Sequence, residues 1–327
     1  MVYNTFATAG MYIAETTAYG NGDQPTTALG RIQSYTPNKN NSFFKVRGIG
    51  SGRNVINTIY GNFECGFSLS WLMHDFEFLV HGVGHKAGAG QTGNPWLLTQ
   101  DDAISYTGNV IRSFSFSIAT NETADVDDVY AGCVINDFTI TATVGAILTC
   151  SANVVAKSVT SDTSAPTYTE VTTDPWVFQQ GSFKWGAVPT AVSYIQSFSV
   201  TYNNNLQTFR SLGSRFIEKP EPGVRDITFS ITCMLDSAIL TTLRDNFYGQ
   251  ANSPFAGITS ASPTADLEIA LEMTKTANYA AKIELDQFAL DSMSDPVTLG
   301  GGLRQVTFTG HAKTGKSGVF GSWWTSA

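Results

Sequence analysis

Residues 63–71 alternate with a period of two. Phe63, Cys65, Phe67, Leu69 and Trp71 make one face, and Glu64, Gly66, Ser68 and Ser70 make the other. Such a stretch predicts a strand with one packed face. Residues 226–233 repeat the pattern, with Ile227, Phe229, Ile231 and Cys233 set against Asp226, Thr228, Ser230 and Thr232. A short helical spacing follows each strand: Phe76, Leu79, Val80 and Val83 after Asp75, and Ile239, Leu243 and Phe247 after Asp236. An aspartate can cap a helix start and a glycine its end, so helices are expected at 75–82 and 236–249, closing at Gly82 and Gly249.

Other strands are expected at 113–118, 133–143, 148–157, 266–273 and 305–312. Pro37–Ser42 reads as a polar break between a strand from Ile32 and a second from Phe43 to Arg47. Residues 20–30 and 82–95 read as Gly-rich loops, and the polar stretch 158–175 as a linker.

The pattern also recurs residue by residue. IQSYTPNKNNSFFKVRGIGS (32–51) matches IQSFSVTYNNNLQTFRSLGS (195–214) at an offset of 195 − 32 = 163, carrying Ile32, Ser34, Asn40, Asn41 and Arg47 onto Ile195, Ser197, Asn203, Asn204 and Arg210. GNFECGFSLSW (61–71) follows onto GVRDITFSITC (223–233) at 162, and VINDFTITA (134–142) parallels ELDQFALDS (284–292). The expectation is a tandem duplication: 1–172 as a first domain with an N-terminal arm and linker, 173–327 as a second. Each would be a β-sandwich or barrel with one short α-helix, giving a mainly β chain.

Composition narrows the function. Charged residues make up only 14% of the chain, the net charge is −8 and the pI is near 4.9. That is the wrong balance for gripping nucleic acid, which needs a basic patch to displace counterions. No apolar run approaches a membrane span, and no basic leader precedes Arg31, so neither membrane contact nor secretion is expected. Cys65, Cys133, Cys150 and Cys233 lack CxxC spacing and read as buried thiols.

Candidate chemistry is thin. GHAKTGKS (310–317) fits G-x-x-x-x-G-K-[ST] in full, but only ten residues follow and they do not favour a helix, which the phosphate cradle requires. Moreover, Ala312–Lys313–Thr314 stands where Ala156–Lys157–Ser158 closes the first half, so a strand end is expected. Gly48–Gly52 lacks the last glycine of a dinucleotide fingerprint and reads as a turn. His81 and His85 have metal-ligand spacing, but Gly82 and Gly84 interrupt the helix that would aim both rings. No nucleophile–base set occurs in both halves. No catalytic residue, metal or cofactor is expected, and an enzyme is disfavoured.

With these residues in view, the chain resembles the major tail tube proteins of long-tailed bacteriophages. The likeness runs through GMYIAETTAYGNGDQPTTALGRIQSYTPNKN (10–40), VRGIGSGRNV (46–55), DVDDVYAGCVINDFTITATVGAILTCSANVVAKSVT (125–160) and FQQGSFKW followed by IQSFSVTYNNNL. The resemblance implies tube domains joined sheet to sheet in a ring of six, with rings stacked into a hollow tail tube that passes DNA. It also implies a virion protein made in the host cytoplasm, with tape-measure, terminator and tail-tip proteins as neighbours. Two domains per chain would then give trimeric rings of pseudo-sixfold symmetry. The polar strand faces supply candidate lumen residues: Glu64, Ser68, Ser70, Asp226, Thr228, Ser230, Asp266, Glu268 and Glu272. They would pass double-stranded DNA without binding it specifically. The alternative is a duplicated carbohydrate- or receptor-binding fibre module, with Trp96, Trp176, Trp323 and Trp324 as an exposed sugar platform.

Overall fold

The structure is a computed structural model. It describes residues 7–14, 19–47, 55, 57–91, 93–100, 112–120, 127–162, 171–186, 190–191, 194–234, 268–276, 279–294, 305–315 and 319–324. The first half contains β1 (Ala7–Ala14), β2 (Thr27–Gly30), β3 (Ile32–Val46), β4 (Asn57–Leu72), β5 (Gly84–Ala87), β6 (Trp96–Gln100), β7 (Phe114–Thr120), β8 (Asp127–Thr143), β9 (Thr149–Ala156) and β10 (Ser158–Asp162). The second half contains β11 (Gly181–Gly186), β12 (Thr190–Ala191), β13 (Ile195–Asn203), β14 (Asp226–Met234), β15 (Glu268–Thr276), β16 (Tyr279–Ser294), β17 (Gln305–Gly315) and β18 (Val319–Trp324). The chain is mainly β, and among the described residues every strand pairing is antiparallel.

One layer is an unbroken sheet in the order β3-β4-β9-β8-β13-β14-β17-β16. Its midpoint is the seam between β8 and β13, registered from Asp137–Asn203 to Thr143–Ser197. The order on one side of the seam, β3-β4-β9-β8, recurs on the other as β13-β14-β17-β16. The details recur as well. Ser34 faces Ser70 after a bulge from Ile32, and Ser197 faces Thr232 after a bulge from Ile195. Bulges also fall between Ile135 and Asp137 in β8 and between Leu290 and Ser292 in β16. These last bulges fix the correspondence of β8 and β16 at 290 − 135 = 155, not the 150 implied by aligning 134–142 with 284–292. Both strands alternate over most of their length, so side-chain texture alone leaves the register loose and the bulge settles it.

A second layer covers the apolar side of the first. β8 enters it first, its leading half lying between β7 and β10, with β1 and β2 beyond β7. β16 does the same in the second half, between β15 and β18, with β11 and β12 beyond β15 and the β5–β6 hairpin beyond β18. Aromatic rings fill the space between layers. Phe67 stacks on Phe116 at 4.4 Å, Phe183 meets Phe198 at 5.7 Å and Phe229 meets Phe288 edge-on at 5.6 Å. Trp71, Phe138, Phe198 and Phe308 are almost wholly buried.

Several local expectations change. Ile32–Val46 is one strand with a bulge between Asn41 and Phe43, because its polar residues lie along an edge and still pair with β4. Pro37 is tolerated there since an edge strand need not donate on its open side. Residues within 20–30 form β2, those within 82–95 form β5, which pairs with β6 just beyond, and Ser158–Asp162 of the supposed linker pairs with β8. The first helix is a 3-10 turn, Glu77–Leu79, running into Val80–Val83. The N-cap is Phe76 rather than Asp75, one residue later than expected, though Asp75 Oδ1 still accepts from the Glu77 N–H at 3.0 Å. The helix ends at Gly84 (φ 133°) rather than Gly82, which sits inside it against Phe138. The 236–249 helix and the Gly48–Gly52 turn lie outside the described residues.

Candidate functional site

The eight-stranded sheet has one face turned to the core and one turned away. Because the strands are in register across the seam, their outward side chains line up in rows. One row runs Thr36, Ser68, Asn153, Asp137, Asn203, Asp226. The next runs Ser34, Ser70, Ser151, Thr139, Thr201, Thr228, His311. A third runs Thr149, Thr141, Ser199, Ser230, Thr309, Ser292. A fourth runs Thr143, Ser197, Thr232, Thr307, Ser294.

Hydroxyl and amide groups knit these rows across strands. Ser34 and Ser70 are hydrogen-bonded at 2.7 Å, Thr139 and Thr201 at 2.8 Å, Thr232 and Thr307 at 3.0 Å, and Ser292 and Thr309 at 2.6 Å. Ser68 donates to Asn153 Oδ1 at 2.6 Å, and Asn153 Nδ2 donates to Asp137 Oδ1 at 2.7 Å. The four rows contain no Lys or Arg. Asp137 and Asp226 are the acidic residues of the rows, and one register step beyond Ile227–Ala312 brings the exposed Lys313 opposite Asp226. Glu64 stands further along β4 and pairs with Arg210 at 2.9 Å. The outcome is a broad, small-residue surface, mostly neutral, with carboxylates towards one end of its strands.

The nine candidate residues divide on this map. Glu64, Ser68, Ser70, Asp226, Thr228 and Ser230 share the polar face. Glu272 does not: it lies on β15, in the second layer, within reach of Lys184 (2.8 Å) and Lys282 (3.5 Å). Burial alone would raise its carboxyl, but the two ammonium groups outweigh that and hold it below the usual range. Asp266 lies outside the described residues, as does the side chain of Glu268, whose backbone opens β15 opposite Asp286. Sequence reasoning missed the contributions of β8, β9, β13 and β17, among them Asp137, Thr139, Asn153, Thr201 and Thr309. Their alternation was the available signal.

Motif candidates resolve into framework. Gly310–Gly315 is part of β17, flanked by β14 and β16, so its backbone is committed to the sheet rather than to a phosphate loop. His81 is buried among Tyr12, Phe78 and Phe114, and desolvation lowers its pKa to about 4, while His85 is exposed on β5 beside Thr99. The four cysteines are buried thiols outside any disulfide, and burial pushes the Cys65 and Cys233 thiols up to about 12 and 11. The exposed tryptophan platform does not form. Trp176 is buried, stacked on Tyr279 and donating to the His74 carbonyl at 2.8 Å; Trp323 is buried, and Trp96 rests against it. The side chain of Trp324 lies outside the described residues.

Another asparagine was flagged only as a repeat match. Asn204 is 4% exposed and donates to the carbonyls of Gly82 (2.9 Å) and Ile135 (3.0 Å), tying the seam to the helix. Its counterpart Asn41 is exposed on the open edge of β3.

Comparison with curated proteins returned no match. A family model described as phage tail tube protein matches residues 7–312, covering both halves and ending within β17. The chain therefore belongs to the phage tail tube protein family.

Proposed function

We propose that three copies of this chain close into a ring, that each half of the chain acts as one tube unit, and that stacked rings form a conduit for viral DNA lined by the hydroxyl-rich face. The observation that carries this reading is the β8–β13 seam. It joins the halves side by side, in the way that successive units of a ring must be joined. A continuous eight-stranded sheet with open outer edges on β3 and on the trailing part of β16 has two natural fates, closure with copies of itself or uncontrolled edge pairing.

Size favours three. Three chains supply 3 × 8 = 24 strands, which at about 4.8 Å spacing and about 40° tilt close into a barrel roughly 48 Å across between backbones. That leaves a bore for a duplex once short side chains are added. Six chains would give 48 strands and a bore about twice as wide. The second layers already cover the apolar side, so the open polar side is the one free to face a lumen.

The chemistry fits passage without retention. A basic wall would bind at successive phosphates and release counterions at each, whereas neutral hydroxyls and scattered carboxylates offer no such grip. This refines the lumen set to Glu64, Ser68, Ser70, Asp226, Thr228 and Ser230, together with their neighbours on β8, β9, β13 and β17. Native mass spectrometry of rings from the purified chain tests the reading. A mass of three chains supports it, and six chains per ring would contradict it.

A further inference from the structure

We propose that the open edge of β3 receives the trailing edge of β16 from a second copy of this chain in one defined register, with Asn38 opposite Ser294, and that Asn41 locks this contact as Asn204 locks the internal seam. The inference rests on the ring reading above and specifies its joint.

The internal seam provides the template. β8 and β13 pair with Thr139 opposite Thr201, and the bulges place β8 on β16 at an offset of 155, while β13 lies on β3 at 163. Transferring the pair gives 139 + 155 = 294 and 201 − 163 = 38. The neighbouring steps put Ser292 opposite Asn40 and Met293 opposite Lys39. Among the described residues, β3 pairs only with β4, and β15 leaves β16 at Asp286, so both edges are open where this pairing would form.

Asn41 supplies an independent observation. Asn204 and Asn41 occupy the same place in the two halves, 204 − 163 = 41. The first is buried because its amide bridges two carbonyls across the seam, Gly82 and Ile135. The second is exposed, its oxygen accepting from Arg215 and its amide meeting no acceptor among the described residues. In the proposed joint the carbonyl equivalent to that of Ile135 belongs to Leu290 of the second copy, since 135 + 155 = 290. Asn204 shows what this amide does once its edge is paired: buried, it must find acceptors, and it finds two carbonyls beside the seam.

The test uses the full chain carrying Asn38→Cys and Ser294→Cys, assembled and then oxidised. Intermolecular disulfides that close at three chains on a denaturing, non-reducing gel are expected, because directly opposite strand positions bring Cβ atoms close enough to bridge. The control pair Thr36→Cys with Ser294→Cys lies two residues out of register and should give at least tenfold less product. In parallel, Asn41→Ala should raise the concentration needed for ring formation at least tenfold, while Asn41→Asp, which keeps the acceptor for Arg215 but lacks the amide donor, should weaken ring formation to a similar degree. Rings that form normally but cross-link only in the control pair, or form equally well with Asn41→Ala, overturn the proposed joint and leave the ring reading standing. Failure of the unmodified chain to form any ring overturns both.

Discussion

Thr139 and Thr201 share a hydrogen bond of 2.8 Å on the polar face of the β8–β13 seam, and the adjacent residues Phe138 and Tyr202 stack on its other face at 5.1 Å and 9° between planes. Phe320 of β18 packs edge-on against both rings, so the second layer seals the seam from the core side. The two halves are thus held together by a ladder with a packed side and a wet side, built like the interior of either half.

That arrangement makes Phe138 a joint of the whole chain. Phe138→Ala is expected to cost about 3–5 kcal/mol, by lost burial and by the cavity left under Phe320. Denaturant melts should show one cooperative transition moved to lower midpoint. A midpoint unchanged within error would mean that the seam contributes little to stability.

Pro37 stands at the position of Val200, since 200 − 163 = 37. The Asn204 N–H points at Asn136 O across the seam, and alternation directs the Val200 N–H the same way. At the open edge Pro37 offers no such donor, which restrains premature edge pairing. Pro37→Val should give the open edge the N–H that Pro37 withholds and lower the concentration at which rings form by roughly threefold to tenfold, the equivalent of about 0.5–1.5 kcal/mol. Sedimentation across a dilution series reads this directly, and weaker assembly would count against the account.

The hydroxyl rows predict what added charge would do. Thr139→Lys with Thr228→Lys should leave the fold intact, because both positions face away from the core. Assembled tubes should then hold DNA, with an affinity falling steeply between about 50 and 200 mM salt. Tubes of the unmodified chain should hold almost none. Equal DNA retention by the two would remove the lumen assignment.

His81 carries a pH dependence of stability. Its pKa is lowered to about 4 by desolvation first, with a backbone hydrogen bond at Arg112 acting in the opposite sense. A histidine depressed on folding stabilises the native state fully above its unfolded pKa of about 6.5, and this share is lost as pH falls towards 4. Melts from pH 7 to pH 4 should show the decline, and His81→Leu should flatten it.

Much of this was legible in the chain. The alternation at 63–71 and 226–233 gave the central strand of each half, and the IQS blocks gave their first strands. What was not legible depended on partners. Pro37 and the asparagines beside it look like a break until β4 is seen to pair with them. The Gly-rich 82–95 stretch looks unstructured until its β5 is seen to pair with β6, which β18 in turn holds. The correspondence of β8 with β16 slipped by five residues because alternation is insensitive to register, whereas a bulge is not. The polar face was half visible: its β4 and β14 residues stood out, while Asp137 and Thr201 gained meaning only once the seam aligned them. Glu272 looked the same as the others in sequence and proved to sit in the second layer, because a period of two tells sides apart without telling layers apart.

The central claim is that both halves line one tube. An averaged cross-section of the assembled tube, by electron cryomicroscopy, tests it most directly. Three copies per ring are expected, with true threefold symmetry and an inner wall of 24 strands, eight from each chain in the order β3-β4-β9-β8-β13-β14-β17-β16. Six copies per ring, or an inner wall built from one half of each chain, would contradict it.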